Sequence, residues 1–359
     1  MKRSAFVGMI TVAAVILGAF LPVFDAAACT RMFWNTNGKV MLAGRNMDLD
    51  MDDLPVFYVF PKGIGRDGGL IDDNKSATWT SQYGSVVVTH LGHSTFSAEG
   101  VNEAGLAFHS LWLTPTQFEG RERGENRRPA VLQGRYGMYL LDNAATVGEA
   151  LKLMYATQLV QEEVDAGGHK LKFPQHYALE DASGDSMVVE FIQGKMIVYY
   201  GAEYNVLTND PPFDQHITNL WHYRYFGGAD PLPGDCNPKD RFVRASAFLS
   251  TLNLSVTNPA VKPDYLSAMF LAIRSMSEPF GVFQFFEGVP APIPAWPTLW
   301  TLVYNLTNKK IYFSHNLVRN NFWIDMRKLD FTEGAPILML DAKRRGLARE
   351  VSKLFKPVP

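Results

Sequence analysis

Cys29 is the residue of this chain best placed to do chemistry, because of what precedes it. Residues 1–28 read as a secretory signal peptide. Lys2 and Arg3 give a basic start, an apolar run extends from Ala5 to Leu21, and Ala26-Ala27-Ala28 supplies the small residues of an A-x-A cleavage site. Cleavage after Ala28 would make Cys29 the first residue of the mature protein. A terminal amine has a reference pKa of about 7.7–8.0 and a thiol about 8.5, so one residue would carry a base and a nucleophile that both titrate near neutral pH. A cysteine directly after a signal could instead be a lipoprotein anchor, acylated on sulfur and amine. Such sites want a larger aliphatic residue three positions earlier, where this chain has Ala26, and acylation would block both reactive groups.

Other familiar chemistries find no support. The eight histidines form no H-E-x-x-H motif and no Cys/His metal spacing. His90 and His93 stand three apart near a strand end, a spacing that suits ordinary structural residues better than one metal. There is no G-x-S-x-G elbow, phosphate loop or dinucleotide fingerprint, and Gly63-Ile-Gly65 reads as a turn. Two cysteines, Cys29 and Cys236, are too few for a disulfide scaffold, and pairing them would consume the nucleophile. Cys236 reads as a small, half-buried hydrophobe. A net charge of −2 without a long basic tract argues against nucleic-acid binding. Beyond the signal no run of 18 apolar residues suggests a membrane span.

The elements that must position Cys29 are a mixture of strands and helices. With 47% hydrophobic and 19% charged residues, the chain can bury a sizeable core. Alternating, β-branched segments predict strands at 40–44, 85–90, 105–113 and 187–192. Thr146-Val-Gly-Glu149 matches a capping box and predicts a helix through Ala150, Leu151, Leu153 and Met154. Asn237-Pro238 opens a second helix with proline at its first position, and 265–275 forms a third. Residues 298–304 and 310–314 pair as a hairpin around 305–308, and the charged stretch 120–128 is a surface loop. No repeat or linker divides residues 29–359, so one α+β domain is expected.

The order of several motifs carries a resemblance. Cys29-Thr30-Arg31-Met32-Phe33, a turn at residues 35–38, and Gly44-Arg45-Asn46-Met47-Asp48 resemble the start of the choloylglycine hydrolase family, which includes penicillin V acylases and conjugated bile salt hydrolases. Glu99-Gly-Val-Asn-Glu-Ala-Gly-Leu106 resembles its G-x-N-E-x-G-L segment, and Tyr204-Asn-Val-Leu-Thr-Asn209-Asp-Pro its T-N-x-P motif. Leu232-Pro-Gly-Asp235 with Arg241-Phe-Val-Arg244 is similar to its L-P-G-D…R-F-x-R motif. Thr298-Leu-Trp-Thr-Leu-Val and Lys328-Leu-Asp-Phe resemble its closing strands. The similarity spans nearly all of residues 29–359.

The resemblance implies the four-layer αββα sandwich of the N-terminal nucleophile hydrolases, needing no metal or organic cofactor. It implies that Cys29 attacks an amide carbonyl, with Arg45 favouring its thiolate and Arg241 completing the charge around it. The α-amine would be the base and Asp48 the acceptor that orients it. Asn209 would donate to the oxyanion, with the main-chain N–H of Trp112 as second donor. Taken singly, each has a plainer reading as an ion pair, a turn residue, a surface arginine or a core tryptophan. The implied substrate is a small linear amide with an apolar acyl group, and relatives are commonly homotetramers. Only 32 residues separate Asn209 from Arg241, and Trp112 is aromatic; both resemble the Gram-negative branch, which takes penicillin V or acyl-homoserine lactones. Met51 stands where that branch has a second aromatic, and Met could still line an apolar pocket with Trp112. The alternatives are bile salt deconjugation and, in another class, a lipid-anchored binding protein without catalysis. A signal peptide places the protein in the periplasm or outside the cell.

Overall fold

The computed structural model describes residues 29–359 apart from 72, 167, 253–259, 261–263 and 285–290. The signal-peptide reading of 1–28 lies outside the described residues. Two large sheets make up the frame. In one, seven strands run in the order Val206–Leu207, Cys29–Trp34, Leu42–Asp48, Thr298–Asn305, Lys310–His315, Asn320–Asp325 and Ala348–Glu350. The other has nine, ordered Lys195–Tyr200, Ser186–Ile192, Gln175–Glu180, Ala107–Trp112, Ser97–Asn102, Ser85–Thr89, Val56–Phe60, Leu338–Asp341 and Lys356–Pro357.

Period-two side-chain alternation explains how the sheets stack. Phe57 and Val59 enter the core shared with the seven-stranded sheet, whereas Tyr58 and Phe60 enter a second core on the opposite face. Val86 and Val88 part from Val87 in the same way. Helices α1 (Gln133–Asn143) and α2 (Val147–Ala156) cover that second face through Tyr136, Leu140, Val147 and Ala150. The outer face of the seven-stranded sheet is covered by α4 (Pro238–Thr251) and α5 (Tyr265–Arg274), with the short α3 (Phe213–Leu220) beside α4. The layers are thus helix, sheet, sheet, helix, the αββα arrangement that the motifs imply.

Local signals placed the helices that the sequence predicts. Thr146 Oγ1 accepts from the Glu149 N–H at 3.2 Å, and Glu149 reaches back to the Ala145 N–H at 2.7 Å. Asn237 caps α4 by accepting from the Asp240 N–H at 3.0 Å, with Pro238 next. Asp264 caps α5 through the Ser267 N–H. The 298–305 and 310–315 strands pair antiparallel as expected, and 120–128 is a loop held by Arg121–Asp73 and Arg128–Glu122 ion pairs. The first predicted strand, at 40–44, forms further along, at Leu42–Asp48. Helix α1 has no such signal, since Gly134 and Gly137 look like breakers. They are there for close packing: a Cβ at Gly137 would stand 2.5 Å from the Phe108 ring, so only glycine lets the helix lie flat on the sheet.

Candidate active site

The first strand sits between Val206–Leu207 and Leu42–Asp48, so both neighbours bring side chains to Cys29. Register pairs Cys29 with Met47 and Arg31 with Arg45. Arg45 Nη2 donates to Cys29 Sγ at 3.3 Å and to the Ser110 carbonyl at 2.6 Å, while Nη1 pairs with Glu99 at 2.9 Å. The Trp300 ring lies 5.7 Å from the guanidinium. Cys29 Sγ is 3.8 Å from the Asp48 carbonyl. All of these groups are buried.

Asn209 follows the Val206–Leu207 strand and is fixed from both sides. Its carbonyl accepts from His216 Nε2 of α3 at 2.9 Å, an imidazole that burial keeps neutral by pulling its pKa down to about 3. Its Oδ1 accepts from the Cys29 main-chain nitrogen and from Arg241 Nη2 at 3.2 Å. Its Nδ2 donates to the Trp112 carbonyl at 2.9 Å, which leaves that amide one further N–H. The capped first turn of α4 delivers Arg241 to the same place. Arg241 Nη1 donates to the Cys29 carbonyl and to Thr30 Oγ1, each at 2.6 Å, and Nε donates to the Cys236 carbonyl at 2.8 Å.

Two buried carboxylates share this arginine. Arg241 Nη1 is 3.9 Å from Asp48 Oδ2, and Nε is 3.2 Å from Glu278 Oε1. Burial pushes both carboxyl groups above the usual carboxylate range, against the pull of Arg241. Thr298 and Arg241 stand beside the Asp48 carboxyl group, which is fully enclosed and offers a buried acceptor near Cys29. Burial also raises the Cys29 thiol, outweighing Arg45. Arg45 and Arg241 act in the expected direction, toward the thiolate, but burial is the larger influence, so the enclosed thiol needs a base to take its proton.

The five residues Cys29, Arg45, Asp48, Asn209 and Arg241 therefore converge. Trp112 joins them through its carbonyl, whereas the expected role was for its N–H. Its ring packs against Trp296 at 5.7 Å and Phe173 at 5.9 Å. Met51 lies in the bend three residues after Asp48 and is 40% exposed. Both cysteines are free, and Cys236 is half-buried. His90 pairs with Asp53 and His93 with the Asp165 carbonyl, and no metal-binding cluster exists among the described residues. Sequence reasoning missed Glu99 and Glu278. Glu99 stood inside a quoted motif, on a short strand whose every residue is buried; Glu278 carries no local signal.

The family of linear amide C–N hydrolases known as the choloylglycine hydrolase family matches residues 29–337. The chain belongs to this family. A penicillin V acylase from Pectobacterium atrosepticum is 32% identical over 318 residues, covering 85% of this chain and 82% of the relative. The solved penicillin V acylase of Agrobacterium tumefaciens superposes with a TM-score of 0.76 at 31% identity, over 92% of this chain and 98% of that one. A bile salt hydrolase/transferase from Clostridium perfringens is 27% identical over 62% of this chain and 71% of its own length. The αββα sandwich is accordingly that of the N-terminal nucleophile hydrolases, and the protein is an amidohydrolase that cleaves linear amide C–N bonds.

Proposed function

We propose that cleavage after Ala28 exposes Cys29 as nucleophile and base of an exported acylase whose substrate is penicillin V or a related amide with an apolar acyl group. The observation that carries this reading is the convergence of Arg45, Asp48, Asn209 and Arg241 on one buried cysteine at which the family match begins. The thiol proton passes to the α-amine, and Sγ adds to the amide carbon. The resulting oxyanion takes the free N–H of Asn209 Nδ2. As the C–N bond breaks, the ammonium returns its proton to the leaving amine, leaving a thioester. Water, deprotonated by the α-amine, then attacks the thioester; the acid departs and Sγ regains its proton. Asp48 orients the amine through its carboxylate, and Arg241 holds the Cys29 carbonyl.

The penicillin V preference is supported by the two acylase relatives and by the Trp112 ring, whose Trp296 and Phe173 neighbours give an aromatic surface next to Asn209. Intact mass and N-terminal sequencing of the exported protein should find Cys29 first and unmodified. A lipidated cysteine or retained leader refutes the reading. Cys29→Ser should abolish hydrolysis without unfolding the protein. A panel of penicillin V, a long-chain acyl-homoserine lactone and glycocholate then tests specificity. Preference for glycocholate would assign bile salt deconjugation instead.

A further inference from the structure

The two sheets meet over an apolar interior, yet a line of charged side chains runs through it. Arg31 and Arg45 are direct cross-strand neighbours in the seven-stranded sheet, a like-charge pair that is unfavourable unless acids answer it. The acids come from the facing sheet. Glu99, on the Ser97–Asn102 strand, pairs with Arg45 at 2.9 Å, and Glu180, on the Gln175–Glu180 strand, accepts from Arg31 Nε at 3.0 Å. Between them stands His109, whose Nδ1 meets Glu99 Oε2 and whose Nε2 meets Glu180 Oε1 at 2.5 Å. All five side chains are 0–1% exposed.

With a carboxylate on each ring nitrogen, His109 satisfies both contacts only as the imidazolium, the form in which both nitrogens donate. Burial pulls its pKa down, but Glu180 and Glu99 overcome this and hold it up at about 9. Arg31 and His109 keep Glu180 ionised, below its usual range, against burial. The other titratable group against this line is Tyr304, its ring 5.7 Å from His109 and its hydroxyl kept protonated by burial. Asp48 and Asp53 also act on Arg45 through their charge. Three cations and two anions leave the line one positive charge in excess, and its end is Arg45 Nη2 on Cys29 Sγ.

We propose that His109, Glu99, Glu180 and Arg31 form a positioning relay that anchors Arg45 on Cys29 and supplies the buried positive charge that the attacking thiolate neutralises. This rests on the nucleophile assignment above and assigns His109 a role that the reaction itself does not require it to touch. The Glu99 ion pair holds Nη1, the Ser110 carbonyl aims Nη2, and His109 fixes Glu99 while offsetting its charge. Removing the cation and removing the anion therefore have opposite effects on the thiol and the same effect on turnover.

The test uses the mature enzyme, with iodoacetamide alkylation of the Cys29 peptide followed by mass spectrometry across pH. His109→Gln should raise the apparent thiol pKa by about one unit, the scale of one buried charge at an effective dielectric near 20. Glu99→Gln should lower it. Both should reduce kcat about 10–100-fold, the cost of a misplaced catalytic group, with little change in KM. Folded variants whose alkylation profiles match the parent overturn the relay, since a merely structural role moves stability alone. Should neither variant fold, ¹⁵N-histidine spectra of the unaltered protein still decide. One imidazolium persisting at pH 8 supports the relay, and its absence overturns it. Cys29→Ser separates the two layers of the argument. If turnover survives that change, both fall; if turnover is lost and the profiles do not move, only the relay falls.

Discussion

Replacing Asn209 by alanine removes three interactions at once. The Cys29 nitrogen and Arg241 Nη2 lose Oδ1, and the Trp112 carbonyl loses Nδ2. Arg241 keeps the Cys29 carbonyl and Thr30, so the guanidinium stays in place. Two of the groups left without a partner, the Cys29 nitrogen and Arg241 Nη2, are buried, at about 1–3 kcal/mol each, which sets a stability loss of roughly 2–6 kcal/mol. Loss of an oxyanion donor adds about 3–4 kcal/mol to the barrier, or about 100–1,000-fold in kcat. Asn209→Asp separates the two contributions. It retains the Oδ1 acceptor for Cys29 and Arg241 but cannot donate, and it sets a carboxylate oxygen against the Trp112 carbonyl. Steady-state kinetics on protein whose terminal Cys29 has been verified by mass, paired with urea unfolding, reads both quantities. The kcat of Asn209→Asp should fall as far as that of the alanine variant. An aspartate variant that keeps kcat and loses only KM would refute oxyanion donation by Asn209, because the interaction would then be uniform binding.

Arg45→Lys keeps the charge but cannot span Glu99, Ser110 and Sγ together, so kcat should fall by about 100-fold with the fold retained; Arg45→Leu should in addition cost roughly 1–3 kcal/mol in urea unfolding, because Glu99 Oε1 loses its partner while Oε2 keeps His109. His109 makes stability depend on alkaline pH. Its pKa is about 9 when folded and about 6.5 when unfolded, so its contribution is complete below about pH 6.5 and is lost as pH rises through 9. Over that window unfolding free energy should drop by about 3 kcal/mol on this account, and His109→Gln should flatten the slope. Thr146→Ala removes the cap of α2 and should cost about 1 kcal/mol in thermal or urea unfolding, with kcat unchanged because α2 lies on the face of the nine-stranded sheet away from Cys29.

Local grammar makes much of this molecule readable in its sequence. Thr146, Pro238 and the 298–315 hairpin announce their elements through contacts a few residues long, and such contacts form in the chain segment itself. Cys29, Arg45, Asp48, Asn209 and Arg241 could be named because ordered motifs mark them. What the motifs could not convey is which atom meets which. That Asn209 holds the Cys29 nitrogen, that Trp112 offers its carbonyl, and that burial raises the thiol depend on three strands and a helix closing around one point. The buried charges were invisible for the same reason. Arg31 and Glu180 are 149 positions apart, and His109 and Glu180 are 71 apart, so only the stacking of two sheets with their strands in register makes them partners. A charged residue on an apolar strand looks like an exception until the facing sheet supplies its counter-ion, and the desolvation that gives such a pair its strength exists only once both sheets have excluded water.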